Sequence, residues 1–114
     1  MLENREIAIM TGELLSSKKA EQVVVLGIAE ISSFADYFVN ATAMNERQLM
    51  ALADDVEDRL AKDAVIPKNV EGQSSSGWIL MDFGDIVVNI FLPQQRDLYQ
   101  IEKIWSDGEF INIE

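Results

Sequence analysis

The chain has no cysteine and no histidine in 114 residues, only two prolines, and nine basic residues against twenty acidic ones. Without cysteine there is no disulfide framework, no thiolate nucleophile and no thiolate metal site. Without histidine the commonest general base and the commonest transition-metal ligand are missing too. Any catalysis would rest on carboxylates, lysine, tyrosine or serine. No apolar run approaches the roughly 18 to 20 residues that cross a bilayer. The longest, Val23 to Ile28 and Ile86 to Leu92, are interrupted or strand-sized. Met1 to Glu6 has neither the basic nor the apolar region of a secretory signal, so a cytoplasmic protein is expected.

What is present suits one domain over residues 1–114, since 48% of residues are hydrophobic, enough for one core. The formal charge of −11 repels phosphate backbones and anionic lipid, which argues against direct nucleic-acid or membrane binding. It favours a basic partner, or serves only solubility.

Residues 2 to 20 read as a helix, with Ile7, Met10 and Leu14 at helical spacing and Gly12 weakening it. Gln22 to Ile28 and Tyr37 to Ala43 read as strands, joined by a loop through Ile31 to Phe34. The clearest helix runs from about Glu46 to Lys62, capped by Asn45 with Gln48 three residues on. Its apolar stripe is Leu49, Leu52, Ala53, Val56 and Leu60. A short strand over Lys68 to Glu71 and a flexible loop from Gly72 to Gly77 follow. Trp78 to Phe83 and Asp85 to Leu92 form a hairpin about Gly84-Asp85. Arg96 to Trp105 closes the pattern as a helix, and the tail from Ser106 is expected to be extended or frayed. Helices must then cover a mostly central sheet, an α/β or α+β sandwich.

Several motifs lack the company their chemistry requires. Asp82-Phe83-Gly84 spells a kinase magnesium motif, but the phosphate loop, strand lysine and catalytic-loop aspartate are absent. Gly72 to Gly77 ends in Gly-Trp, not Gly-Lys-Ser, and offers no nucleophile elbow. Asp82 and Asp85, with Glu71 nearby, are candidate cation ligands, yet turn aspartates also cap backbone amides. Asp54, Asp55, Glu57 and Asp58 form a solvated helix surface or an interaction face. Asn40-Ala41-Thr42 is a glycosylation sequon inside a predicted strand and is discounted. Period-two alternation puts Trp78, Leu80 and Asp82 on one face, with Ile79, Met81 and Phe83 on the other. On pattern alone Trp78 is either an exposed interface anchor or a core tryptophan at the sheet end.

Four segments, in order and in register, resemble the ribosomal silencing factor family, also called Iojap-like. Ile31-Ser32-Ser33-Phe34-Ala35-Asp36-Tyr37-Phe38-Val39 is similar to its I-S-x-x-A-D-Y-F-V segment, and Arg47-Gln48-Leu49 with Ala53-Asp54 to its helix start. Val70-Glu71-Gly72 with Trp78 to Val88 resembles V-E-G and W-x-L-x-D-x-G-D-V-V-V. Arg96-Asp97-Leu98-Tyr99 and Ile101 to Trp105 resemble the closing R-x-x-Y-x-L-E-x-L-W. The resemblance covers about Glu3 to Trp105; Asn89 stands where the family often has histidine.

The resemblance implies a mixed sheet of four to five strands flanked by helices, distantly like nucleotidyltransferases without their catalytic carboxylates. It implies no enzyme and no cofactor, but a repressor that binds the large ribosomal subunit through its fourteenth protein and hinders joining of the small subunit. Carried over, Trp78 anchors an apolar patch with Leu80, while Glu71, Asp82 and Asp85 pair with basic residues. Met81 and Phe83 replace Leu80 if the other face is outward. A magnesium-dependent nucleotidyltransferase-like activity at Asp82 and Asp85, and a dimerising adaptor, stay as alternatives, with homodimerisation of the free protein open.

Overall fold

The computed structural model describes residues 2–33, 35–99 and 101–113. Phe34 of the expected loop and Gln100 of the expected closing helix lie outside these residues. Helix α1 (Asn4–Ser17) buries Ile7, Ala8, Thr11, Gly12 and Leu15. Met10 and Leu14, expected on that face, are only partly buried beside it. Gly12 sits where the helix lies closest to strand β1 (Glu21–Gly27): a β-carbon there would come 2.6 Å from Val25 Cγ2. Poor helix propensity is thus exchanged for close packing.

Strand β1 pairs antiparallel with β2 (Tyr37–Thr42), interrupted by a bulge between Glu21 and Val24. Helix α2 (Glu46–Ala61) follows, and its buried residues are the five predicted. Asn45 Oδ1 accepts from the Gln48 amide at 2.8 Å, while Gln48 Oε1 accepts from the Met44 amide at 2.7 Å. The reciprocal bond of the cap therefore lands one residue before the N-cap. Strand β3 (Asn69–Glu71) and strand β4 (Trp78–Asp82) are antiparallel neighbours. Between them Gly72 to Gly77 includes a short 3-10 turn (Ser74–Ser76), where the Ser76 hydroxyl meets the Gln73 carbonyl at 2.7 Å. A two-residue turn at Gly84-Asp85 leads to β5 (Ile86–Phe91), Gly84 taking the positive φ of 96° that the turn needs.

Helical segments α3 (Pro93–Tyr99) and α4 (Ile101–Ile104) lie on either side of Gln100, which is outside the described residues, and together they occupy most of the segment predicted as a closing helix. Pro93 opens α3, where its missing N–H has no intrahelical partner to lose. The tail expected to be extended or frayed forms strand β6 (Glu109–Ile111) against β1. The sheet therefore has six strands among the described residues, not four to five, in the order β3-β4-β5-β2-β1-β6. Among the described residues only β2 and β5 run parallel, so the sheet is mixed as expected. A three-residue strand lies at each edge.

The two faces of the sheet are unequally covered. Helices α1 and α2 pack over Val25, Val39, Ala41, Ile79, Met81, Val88 and Ile90, which form the main core. The other face holds a smaller cluster of Leu26, Ile28, Ala35, Phe38 and Val87, with Val24, Leu80 and Trp105 against it. No described helix is long and apolar enough to cross a membrane.

Candidate functional site

Alternation along β4 decides which side chains reach the thinly covered face. Ile79 and Met81 are buried, whereas Trp78, Leu80 and Asp82 are half-buried. Strand register sets Glu71 beside Leu80 and Phe91 beside Trp78. A groove of about 310 Å³ results, lined by Phe38, Leu80, Val87 and Asn89 together with Trp78 and Trp105. Glu71 and Asp82 bring carboxylates to it. A smaller hollow of about 190 Å³ continues past Trp78 and Leu80 to Gly72 and Ser76.

The indole of Trp78 is held rather than loose. It stacks on Phe91 with ring centroids 5.4 Å apart and planes 21° from parallel. Its Nε1 donates to Asn89 Oδ1 at 3.1 Å. Trp105, just beyond α4, meets Phe38 edge-on at 5.7 Å. Within α3, the Arg96 side chain is 7% exposed and each of its three guanidinium nitrogens makes a hydrogen bond. It donates to Glu102 Oε1 at 3.2 Å, to Thr42 Oγ1 at 3.1 Å and to the Gln22 carbonyl at 2.8 Å. The β1 bulge makes the last bond available, because an extra residue leaves its carbonyl out of the ladder.

Of the residues singled out in the sequence, Trp78, Leu80, Asp82 and Glu71 come together on this groove. Met81 does not: at 1% exposure it belongs to the helix-covered core, on the face where it offers a partner nothing. Phe83 packs partly buried against that same core, beside Leu2 and Ile66. Asp85 lies at the hairpin tip, where Asn4 Nδ2 donates to it at 3.1 Å and to Asp36 at 3.2 Å. Asp82 turns one oxygen to the Gly84 amide at 2.8 Å, the local role common for turn aspartates. The exposed acids Asp54, Glu57 and Asp58 lie on α2, across the sheet from the groove. Asn40 is fully buried, which explains why its sequon has no place on the surface.

Sequence reasoning passed over Asn40, Asn89, Arg96 and Glu102 as members of one polar network. The available signal was an asparagine near the middle of each of two apolar strands. A buried amide demands partners, so its presence there points to a matching polar group nearby.

The profile of the family described as "Ribosomal silencing factor during starvation" matches residues 2–114. A ribosomal silencing factor of Halalkalibacterium halodurans is 33% identical over 113 residues, covering 99% of this chain and 97% of that one. The crystal structure of a Chromobacterium violaceum protein aligns with a TM-score of 0.87 at 33% identity, covering 97% of this chain and 92% of that one. More distant is a Mus musculus protein named mitochondrial assembly of ribosomal large subunit protein 1, 26% identical over 106 residues. That match takes in 89% of this chain and 46% of the mouse protein.

Proposed function

This chain belongs to the ribosomal silencing factor family, and from that premise we propose that it represses translation by steric occlusion on the large ribosomal subunit. The contact runs through the fourteenth protein of that subunit, and the bound chain stands in the way of the small subunit. The mechanism asks no bond-making of the chain and no cofactor, and it operates in the cytoplasm.

The observation that supports this reading is the Trp78 groove. A half-buried indole, already fixed by stacking and a hydrogen bond, presents a large apolar contact with little rotamer freedom left to lose. Glu71 and Asp82 beside it match a basic protein surface, as does the net charge of −11. The helix-covered face supplies the main core, so the groove face is left for a partner.

Replacing Trp78 by alanine is expected to leave a folded protein by circular dichroism and to reduce co-sedimentation with large subunits by at least about tenfold. Full-strength co-sedimentation of that variant would overturn the anchor. The purified fourteenth protein alone is expected to bind the wild-type chain in calorimetry. Binding to whole subunits without binding to that protein would move the contact to another ribosomal surface. Light scattering during subunit mixing tests occlusion, since the wild-type chain should suppress joining and W78A should not.

A further inference from the structure

Trp78 is the outermost member of a hydrogen-bonded relay whose direction is set at both ends. An indole N–H only donates, and an ionised carboxylate only accepts. Because Asn89 Oδ1 accepts from Trp78, its Nδ2 is left to donate to Asn40 Oδ1, at 3.0 Å. Asn40 Nδ2 then donates to Glu102 Oε2 at 2.6 Å, and the other oxygen of Glu102 accepts from Arg96. The two asparagines meet because they are direct partners in the parallel register of β2 and β5. Asn40 is 0% and Asn89 2% exposed, so a flipped amide would set donor against donor with no water to relieve it.

We propose that Asn89 is a positioning residue for partner binding. It holds the Trp78 indole over Phe91 at the groove, and it links that indole through Asn40 to the Glu102–Arg96 pair that docks α3 and α4. The inference rests on the reading of Trp78 as the anchor. It also defines what residue 89 must be: an acceptor towards Trp78 and a donor towards Asn40 at the same time. Leucine is neither. A neutral imidazole is both, one nitrogen accepting and the other donating, whereas an imidazolium donates at both nitrogens and loses Trp78.

Asn89→Leu, Asn89→His and Trp78→Ala, each in the full chain, separate these roles. In the free wild-type protein the Trp78 indole proton, identified by its absence in W78A, is expected to exchange slowly with water. In N89L its resonance should shift and its exchange quicken by about tenfold, and large-subunit co-sedimentation should weaken about five- to tenfold. N89H should match the wild type above the titration of its single imidazole, read from the ring-proton resonances, and fall to the N89L level below it, each compared with wild type at the same pH. Glu71 and Asp82 at the groove and Glu102 beyond Asn40 favour the imidazolium, while Arg96 opposes it. Burial at a position 2% exposed opposes the imidazolium as well, so the titration is located by measurement and not by the ordinary imidazole value.

Wild-type binding by N89L, with W78A defective, overturns the positioning role and leaves the anchor standing. Wild-type binding by W78A overturns the anchor, and the indole resonance, read without any partner, keeps the two failures apart. Should leucine unfold the chain, N89H carries the test: binding relative to wild type that is equal on both sides of its imidazole titration overturns the proposal.

Discussion

Leu80 is half-buried beside Trp78, while its chain neighbour Met81 is 1% exposed within the helix-covered core. Truncating each to alanine should therefore give opposite outcomes. Met81→Ala is expected to cost about 2 to 4 kcal/mol in urea unfolding, through lost burial and the cavity left behind, with binding per folded molecule unchanged. Leu80→Ala should cost less than about 1 kcal/mol of stability yet weaken co-sedimentation several-fold. Alternation in the sequence separated these two side chains correctly, because period two is a property of the strand itself. It did not say which face was outward, since that depends on how many helices cover each side. The bond between Asn89 and Asn40 was equally illegible, as it joins residues 49 apart through a parallel register. No local pattern encodes such a register.

Helices α3 and α4 are too short to persist on local propensity and owe their place to tertiary contacts. Arg96 ties them to β1 and β2, so Arg96→Leu leaves Glu102 and Thr42 without that partner. A loss of about 2 to 3 kcal/mol is expected, seen as faster amide exchange across residues 93–105 than across α2. At the opposite face, Gly12→Val should drive bulk into Val25 and lower stability by about 1 to 3 kcal/mol in the same unfolding assay. The long, strongly periodic α2 was readable to its stripe and its cap. The start of the closing helical segment at Pro93, three residues before the expected Arg96, and strand β6 were not, because both depend on docking against the sheet. Glu109 to Ile111 gave no signal of β6 apart from its partner β1, whereas the equally short edge strand β3 was anticipated at Lys68 to Glu71.

Taken whole, the molecule has a helix-covered face that supplies most of its core and a groove face with a smaller apolar cluster, the face proposed for the partner. Its charge of −11 belongs to neither face alone, since exposed acids also line α2 on the side away from the groove. In the proposed mechanism those distant acids act on the rate of encounter with a basic partner rather than on the docked contact. Raising salt from about 50 to about 500 mM should slow association by roughly tenfold and leave dissociation nearly unchanged, as stopped-flow mixing with the partner would register.

The borders of the sheet bear on how such a chain survives at high concentration. Strands β3 and β6 each offer only three residues at an outer edge, although Val70 and Phe110 are exposed there. Fibrous stacking needs a template of about six or seven paired residues, and neither border is long enough to supply one. A tryptophan-lined face can thus stay open to a partner while the sheet gives copies of the chain too short a selvedge on which to continue weaving.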